Sequence, residues 1–331
     1  METISLHEST DRLTLKDGQF IQWNRETIRE VYPIRCTESV EVYGNAQITT
    51  QAVKECLKEG IRINYFNIYG KYLGRAEPGY PKNIRRRMEQ YRLYFEPERR
   101  LAWSKSIIAA KIQGEIVEIR RLREQKSVFP VHEFRAELRR YLSRLPGVTN
   151  LHSLLGVEGA CARIYYRVFP YILPEGITWN GRSHHPPADR FNAILSLIYG
   201  TTSQMIRNKL EQHSLDPHCG FLHEPGYGGG GLACDLLEAV RATFCDHLAF
   251  RLVRRERDVR EFAAGADPVP TRLPEPLAQI VCDRTRAALQ TRFHLQKQNP
   301  AEQIDELLRR TINGLEEHGP SPEFIGIHPE R

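Results

Sequence analysis

The stretch from Gly220 to Glu238, GFLHEPGYGGGGLACDLLE, gathers residue types that can hold a hard divalent cation. His223 precedes a glycine-rich turn. The helical pattern beyond the turn carries Asp235 and Glu238 in its first turns. Carboxylates three residues apart on a helix share one face. A glycine-rich turn lets the chain fold back, so His223 can approach that face. Two acids and an imidazole converging on one point suit an oxygen-seeking divalent ion.

Each part has a plainer explanation. A lone histidine is more often structural than a ligand, and acids on a helix usually face water. Leu232, Leu236, Val240, Phe244 and Leu248, at four-residue spacing, mark the core face of the helix. Asp235 and Glu238 lie beside that face, where a carboxylate is costly unless a cation or hydrogen bonds compensate it. The turn Gly226 to Gly231 matches GxGxxG in form, but helical patterns surround it instead of a βαβ unit. No Gly-Lys-Ser/Thr follows, so it is not a phosphate-binding P-loop either. A third acid, Glu158, lies in LLGVEGA among small and apolar neighbours. It is either a ligand or one half of a buried ion pair with Arg163 or Arg167.

Two kinds of element must position these groups. Residues 1–76 read as a small β-rich domain with one helix. Arg12–Leu15 and Phe20–Trp23 flank the turn signal Asp17-Gly18, and Ser39–Tyr43 is a further strand. A helix over Gln51–Glu59 stops at Gly60, and Arg62–Phe66 pairs with Lys71–Arg75. The breaker cluster Ala76-Glu-Pro-Gly-Tyr-Pro81 sets residues 77–82 as a linker. Beyond it the period turns helical: 84–95, 97–123, 131–145, 151–169, 189–199, 201–213, a long helix to about Arg255, 276–293 and 301–317. Residues 83–318 therefore form an all-α domain, and 319–331 are expected to be a loose tail. The fold class is α+β, a small β-rich domain followed by a larger helical one.

The chain has 331 residues, is 40% hydrophobic and 27% charged, and carries a net charge of +6, which favours an acidic partner. Seven cysteines without a CxxC pair argue against a disulfide framework or a cysteine zinc site. No basic start precedes an apolar run, and no apolar stretch nears the ~18 residues needed to cross a bilayer. A soluble, cytoplasmic protein with no membrane role is expected. Arginine clusters at Arg85–Arg87, Arg99–Arg100, Arg120–Arg123, Arg139–Arg140 and Arg251–Arg255 suit phosphate, which arginine grips bidentately. Solvated helix faces are the plainer explanation for such runs.

The ordered blocks LLGVEGA (154–160), PPADRFNAILS (186–196), LDPHCGFLHE (215–224) and LACDLLE (232–238) resemble the CRISPR-associated (Cas) integrase endonuclease family, the universal spacer-acquisition subunit. VYGNAQITT (42–50) and GKYLGR (70–75) add to the resemblance, which covers about residues 1–255. Residues from about 256 to 300 depart from the pattern.

The resemblance implies a metal site on Glu158, His223 and Glu238, with Asp235 as a second acid beside it and Asn192 in support. It implies Mg2+ or Mn2+, and a homodimer formed through the β-rich domain that pairs with a small ferredoxin-like Cas subunit in a prokaryotic cytoplasm. The activity implied is that of a DNA endonuclease and integrase, inserting short duplexes with free 3′ ends into a CRISPR repeat by 3′-hydroxyl attack on a phosphodiester. Contacts to DNA are expected from Arg85, Arg86, Arg163, Tyr165, His184, Arg241 and Arg254. The competing expectations are a non-catalytic basic scaffold for nucleic acid and a metallohydrolase of small phosphate esters. The absence of HExxH counts against the latter.

Overall fold

A computed structural model of the chain describes residues 2–78, 83–123, 130–183, 186–224, 231–266, 269, 272–292, 298–317, 322 and 324. Asp17 and Gly18, with φ of 52° and 71°, make the tight turn that joins β2 (Asp11–Lys16) to β3 (Gln19–Asn24) in register Lys16↔Gln19. Around this hairpin lie β1 (Glu2–Leu6), β4 (Thr27–Pro33), β5 (Thr37–Tyr43), β6 (Gln47–Ile48), β7 (Arg62–Phe66) and β8 (Tyr72–Ala76). They form two four-stranded sheets in the orders β1-β5-β7-β8 and β4-β3-β2-β6. Helix α1 (Thr50–Lys58), capped by the Thr49 hydroxyl, lies in the crossover between parallel strands β5 and β7. Ile4, Leu6, Leu13, Phe20, Val40, Val42, Cys56 and Ile63 make the core of this region.

Strands β1, β4 and the two-residue β6 are additions to the expected set. β1 is too short and too near the chain end to show a pattern. β4 is an exposed edge strand that buries only Tyr32, so it lacks the alternation that marks a strand.

The rest of the chain is helical: α2 (Ile84–Phe95), α3 (Pro97–Arg123), α4 (Val131–Arg144), α5 (Leu151–Tyr166), α6 (Phe169–Ile172), α7 (Arg190–Gln212), α8 (Gly231–Val240), α9 (His247–Arg255), α10 (Arg257–Ala263), α11 (Glu275–Gln290) and α12 (Pro300–Glu316). The order, β-rich region then helical region, is the expected fold class. The chain divides into two compact units, Met1–Tyr80 with Arg272–Ile280, and Pro81–Thr271 with Val281–Arg331. The site described below lies wholly in the second.

Helix α3 is the centre of that unit and packs against α2, α4, α5 and α8. Trp103, Ile107, Ile108, Ile112, Ile116 and Ile119 are all nearly inaccessible. Three differences from expectation stand out. Gly200 does not break α7, because a helix with a buried face outweighs the ~1 kcal/mol that glycine costs. Between α8 and α9, residues Arg241–Asp246 are π-helical, a local widening often found at functional sites. Phe324, in the segment expected to be loose, is 2% exposed and edge-on to Trp103. Residues 79–82 of the expected linker and Gly226–Gly230 of the turn lie outside the described residues.

Candidate active site

Glu158 and Glu238 meet at a lysine. Asn150 caps α5 by accepting from the Ser153 amide at 2.8 Å, and Glu158 projects from the second turn of that helix. Glu238 projects from α8. The Lys111 ammonium, from the middle of α3, lies 2.5 Å from Glu158 Oε1 and 2.9 Å from Glu238 Oε2. The other Glu238 oxygen is paired with the Arg241 guanidinium. The ion pair foreseen for Glu158 thus exists, with Lys111 as partner instead of Arg163 or Arg167. Burial opposes the charged form of Glu238, but Arg241 and Lys111 outweigh it and hold its pKa well below the usual carboxylate range. Glu238 Oε2 is close to Lys111 but has no aligned hydrogen-bond partner.

His223 is held by Asp235. The Asp235 carboxylate, fully buried on α8, accepts from the backbone amides of Phe221 at 2.6 Å, Leu222 at 3.1 Å and His223 at 3.0 Å. Its Oδ1 also lies 2.8 Å from His223 Nδ1. Both Asp235 oxygens are therefore spent on the loop, and the ring is oriented through Nδ1, leaving Nε2 for another partner. Burial lowers the His223 pKa. The bond to Asp235, with the charges of Asp235, Glu238 and Glu158, more than reverses this and raises it.

The loop is fixed from the other side by α2 and α3. Buried Gln90 donates to the carbonyls of Asp216 and Cys219 at 2.8 Å and accepts from the Asp216 amide at 2.8 Å. Arg100 donates through Nε to the Phe221 carbonyl at 2.8 Å. Gly220 and Gly231 close the loop backbone to backbone. A Cβ on Gly231 would stand 2.1 Å from the His218 carbonyl oxygen. The glycines at these two ends are required by close approach.

Beyond this lies a second layer of charge that sequence reasoning missed. Glu115 and Glu118 follow Lys111 on the same face of α3, and each is nearly inaccessible. Glu118 Oε1 is 2.8 Å from His247 Nδ1. Asp246 accepts from the Tyr199 hydroxyl. Burial pushes Glu115 up to about 8 against the pull of Lys111, and Asp246 up to about 6 against the Tyr199 hydrogen bond. Three charges in the mostly apolar stretch IIAAKIQGEIVEI were the available signal.

Other expected residues divide by exposure. Asn192 is fully buried. It accepts from Arg182 at 2.9 Å and the Ser183 amide at 3.1 Å, and donates to the Gly181 carbonyl at 2.8 Å, so it supports the loop before α7. Arg85 and Arg163 are exposed, as a DNA contact requires. Arg86 is 2.6 Å from Glu316. Arg254 donates to the Ile172 carbonyl at 2.7 Å. Two residues differ from expectation. Tyr165 is 2% exposed and packs against Tyr166 and Phe169, so it is a core aromatic. Arg241 is committed to Glu238 and stacked over Tyr199 at 4.8 Å, so it belongs to the site interior. His184 lies outside the described residues.

Glu158, His223 and Glu238 were expected to surround one ion. Two of them meet at Lys111 and the third is paired with Asp235. Among the described residues, no three His, Cys, Asp or Glu side chains form a ready cation cage. The donors nonetheless fit a hard divalent ion. Two carboxylates from separate helices already share one cationic partner, one oxygen is buried without a hydrogen bond, and a ring nitrogen oriented from behind lies within their field.

The family model described as CRISPR associated protein Cas1 matches residues 4–276. A CRISPR-associated endonuclease Cas1 of Thermus thermophilus is 31% identical over 245 residues, covering 73% of this chain and 71% of the relative. Among solved structures, a casposase bound to integration product superposes with a TM-score of 0.77 at 19% identity, covering 99% of this chain and 95% of that one. A chain of a Cas6-RT-Cas1–Cas2 complex gives 0.76 at 19% identity, covering 98% of this chain and 36% of the longer one. No described helix is long and apolar enough to cross a membrane. With its β-rich region, its helical region and a family match across both, the chain belongs to the CRISPR-associated Cas1 family.

Proposed function

We propose that the protein is a metal-dependent DNA endonuclease and integrase of CRISPR adaptation. It would insert short duplexes into a repeat by attack of a 3′-hydroxyl on a phosphodiester. The observation that carries this is the convergence of half-buried Glu158 and buried Glu238 on one cation position beside a histidine anchored by Asp235. Glu158, Glu238 and His223 Nε2 would hold Mg2+ or Mn2+. When bound, such an ion neutralises the charge that develops on the phosphate. Asp235 keeps the His223 ring turned the same way throughout, and Arg241 keeps Glu238 ionised and in place.

In the reaction the 3′-oxygen forms a bond to phosphorus and a strand of the repeat leaves with its own 3′-hydroxyl, so the number of phosphodiesters is unchanged. With water as nucleophile the same site cleaves. The names of the comparison proteins, an endonuclease, a casposase with its integration product and a Cas1–Cas2 assembly, support DNA as substrate and a small ferredoxin-like subunit as partner. We assign dimer formation to the β-rich region on the family resemblance.

One observation favours a different role. Lys111 already satisfies both acids, as it would in a non-catalytic DNA-binding scaffold. The two are separated by incubating the protein, with its small partner, with duplexes bearing free 3′ ends and a repeat-containing plasmid. Joining should require Mn2+ or Mg2+, stop with EDTA, and fall at least about a hundredfold in E158A and H223A while DNA binding persists. Joining retained in those variants, or proceeding in EDTA, would remove the site.

A further inference from the structure

We infer that Lys111 is a built-in counter-cation: it occupies the place between Glu158 and Glu238 while no divalent ion is present, and moves toward Glu115 when one binds. This rests on the proposed metal site.

The Lys111 side chain is 5% exposed, and its ammonium is the shared partner of two carboxylates carried by different helices. Without a cation between them the two carboxylates repel, and Glu158 Oε1 and Glu238 Oε2 lose their shared partner. Lysine suits a temporary occupant better than arginine does. It is a compact charge on a flexible four-carbon stem, whereas a guanidinium holds its partner through a fixed fork. Arg241 takes the opposite oxygen of Glu238, so it can stay when Lys111 leaves.

Charge balance gives the reason to leave. Lys111 and Arg241 neutralise Glu158 and Glu238. A doubly charged ion added to that set leaves two excess positive charges beside the buried Glu238. The landing place is on the same helix. Glu115 is one turn beyond Lys111, 2% exposed, and its Oε2 has no hydrogen-bond partner. A buried carboxyl oxygen without a partner, within reach of a buried lysine that has two, makes a second seat for the ammonium.

The test is Mn2+ titration by calorimetry on the full-length protein, comparing wild type, K111M, E115Q and E158Q. K111M should bind Mn2+ about tenfold more tightly than wild type, since no ammonium has to be displaced, and its melting temperature in EDTA should fall and recover with Mn2+. E115Q should bind several-fold more weakly. Where K111M does not fold, wild-type protein labelled with 15N at lysine Nζ provides the readout. The Lys111 ammonium resonance, identified by its loss in K111R, should shift or vanish as Mg2+ is added. Equal affinity of K111M and wild type, or a resonance unmoved at saturating Mg2+, overturns the exchange while Mn2+ binding abolished by E158Q keeps the metal site. Absence of Mn2+ binding in wild type and K111M alike overturns both.

Discussion

Asp235 holds His223 twice, through the backbone amide at 3.0 Å and the ring Nδ1 at 2.8 Å. The same carboxylate takes the two preceding amides, so one buried side chain organises the whole approach of the loop. Replacing it by alanine strands three buried amides and the ring, each loss costing about 1–3 kcal/mol. D235A is expected to lower stability by several kcal/mol in urea unfolding. D235N keeps one acceptor oxygen and should fall between D235A and wild type. Equal stability of D235A and wild type would mean that the loop is held elsewhere, by Gln90 and Arg100.

Glu115 makes stability depend on pH in a direction opposite to most acids. Its folded pKa is pushed up to about 8 from the ordinary carboxylate value, so the folded protein keeps a proton that the unfolded chain has released. Folding then binds more protons than unfolding over that interval. The stability linked to Glu115 is complete below the unfolded value and is lost as pH rises through the folded one, at about 1.4 kcal/mol per unit at most. E115Q, neutral throughout, should flatten the decline in melting temperature between pH 5 and 8, a window set by that shift. An unchanged slope in E115Q would assign the decline to other groups.

These two acids also show what a one-dimensional sequence makes legible. Asp235, Glu238 and His223 were visible because a single turn joins them, and local spacing is what pattern reading measures best. The switch from period 2 to period 3.6 at Ala76–Pro81 was visible for the same reason. Lys111 was not: its partners lie on α5 and α8, far away in the chain, and nothing near Lys111 announces them. The burial of Tyr165 was equally hidden, because an aromatic at a helix end reads alike whether it stacks on bases or on Phe169. Gly200 looked like a break because its propensity is local, whereas the buried face that carries α7 through it is tertiary.

Glycines in the two halves of the site respond oppositely to alanine. At Gly231 a new Cβ would meet backbone at 2.1 Å, so the loop carrying His223 must shift. G231A is expected to destabilise the protein by more than 2 kcal/mol, an order-of-magnitude figure for overpacking against backbone. Gly156 and Gly159, either side of Glu158 on α5, meet nothing within 4 Å. There alanine brings only its helix preference, worth about 0.5–1 kcal/mol of added stability. Chemical denaturation of G231A and G159A decides the matter, and a loss of stability in G159A would show that the space beside Glu158 is filled.

The exposed and buried members of the proposed DNA-contacting set should separate in binding assays. Arg85 and Arg163 are exposed, and a lost phosphate contact weakens affinity about equally for all sequences. R85A and R163A should each reduce duplex affinity and lower the slope of log K against log salt by about 1. Tyr165 is enclosed by Tyr166 and Phe169, so Y165F should leave affinity and slope unchanged, whereas Y165A should cost about 3–5 kcal/mol of folding stability through the cavity it leaves. Fluorescence anisotropy across a salt series measures both quantities. If Y165F changed the slope, the tyrosine would have to reach the DNA from a rearranged helix end, and its place in the aromatic core would not describe the DNA-bound protein.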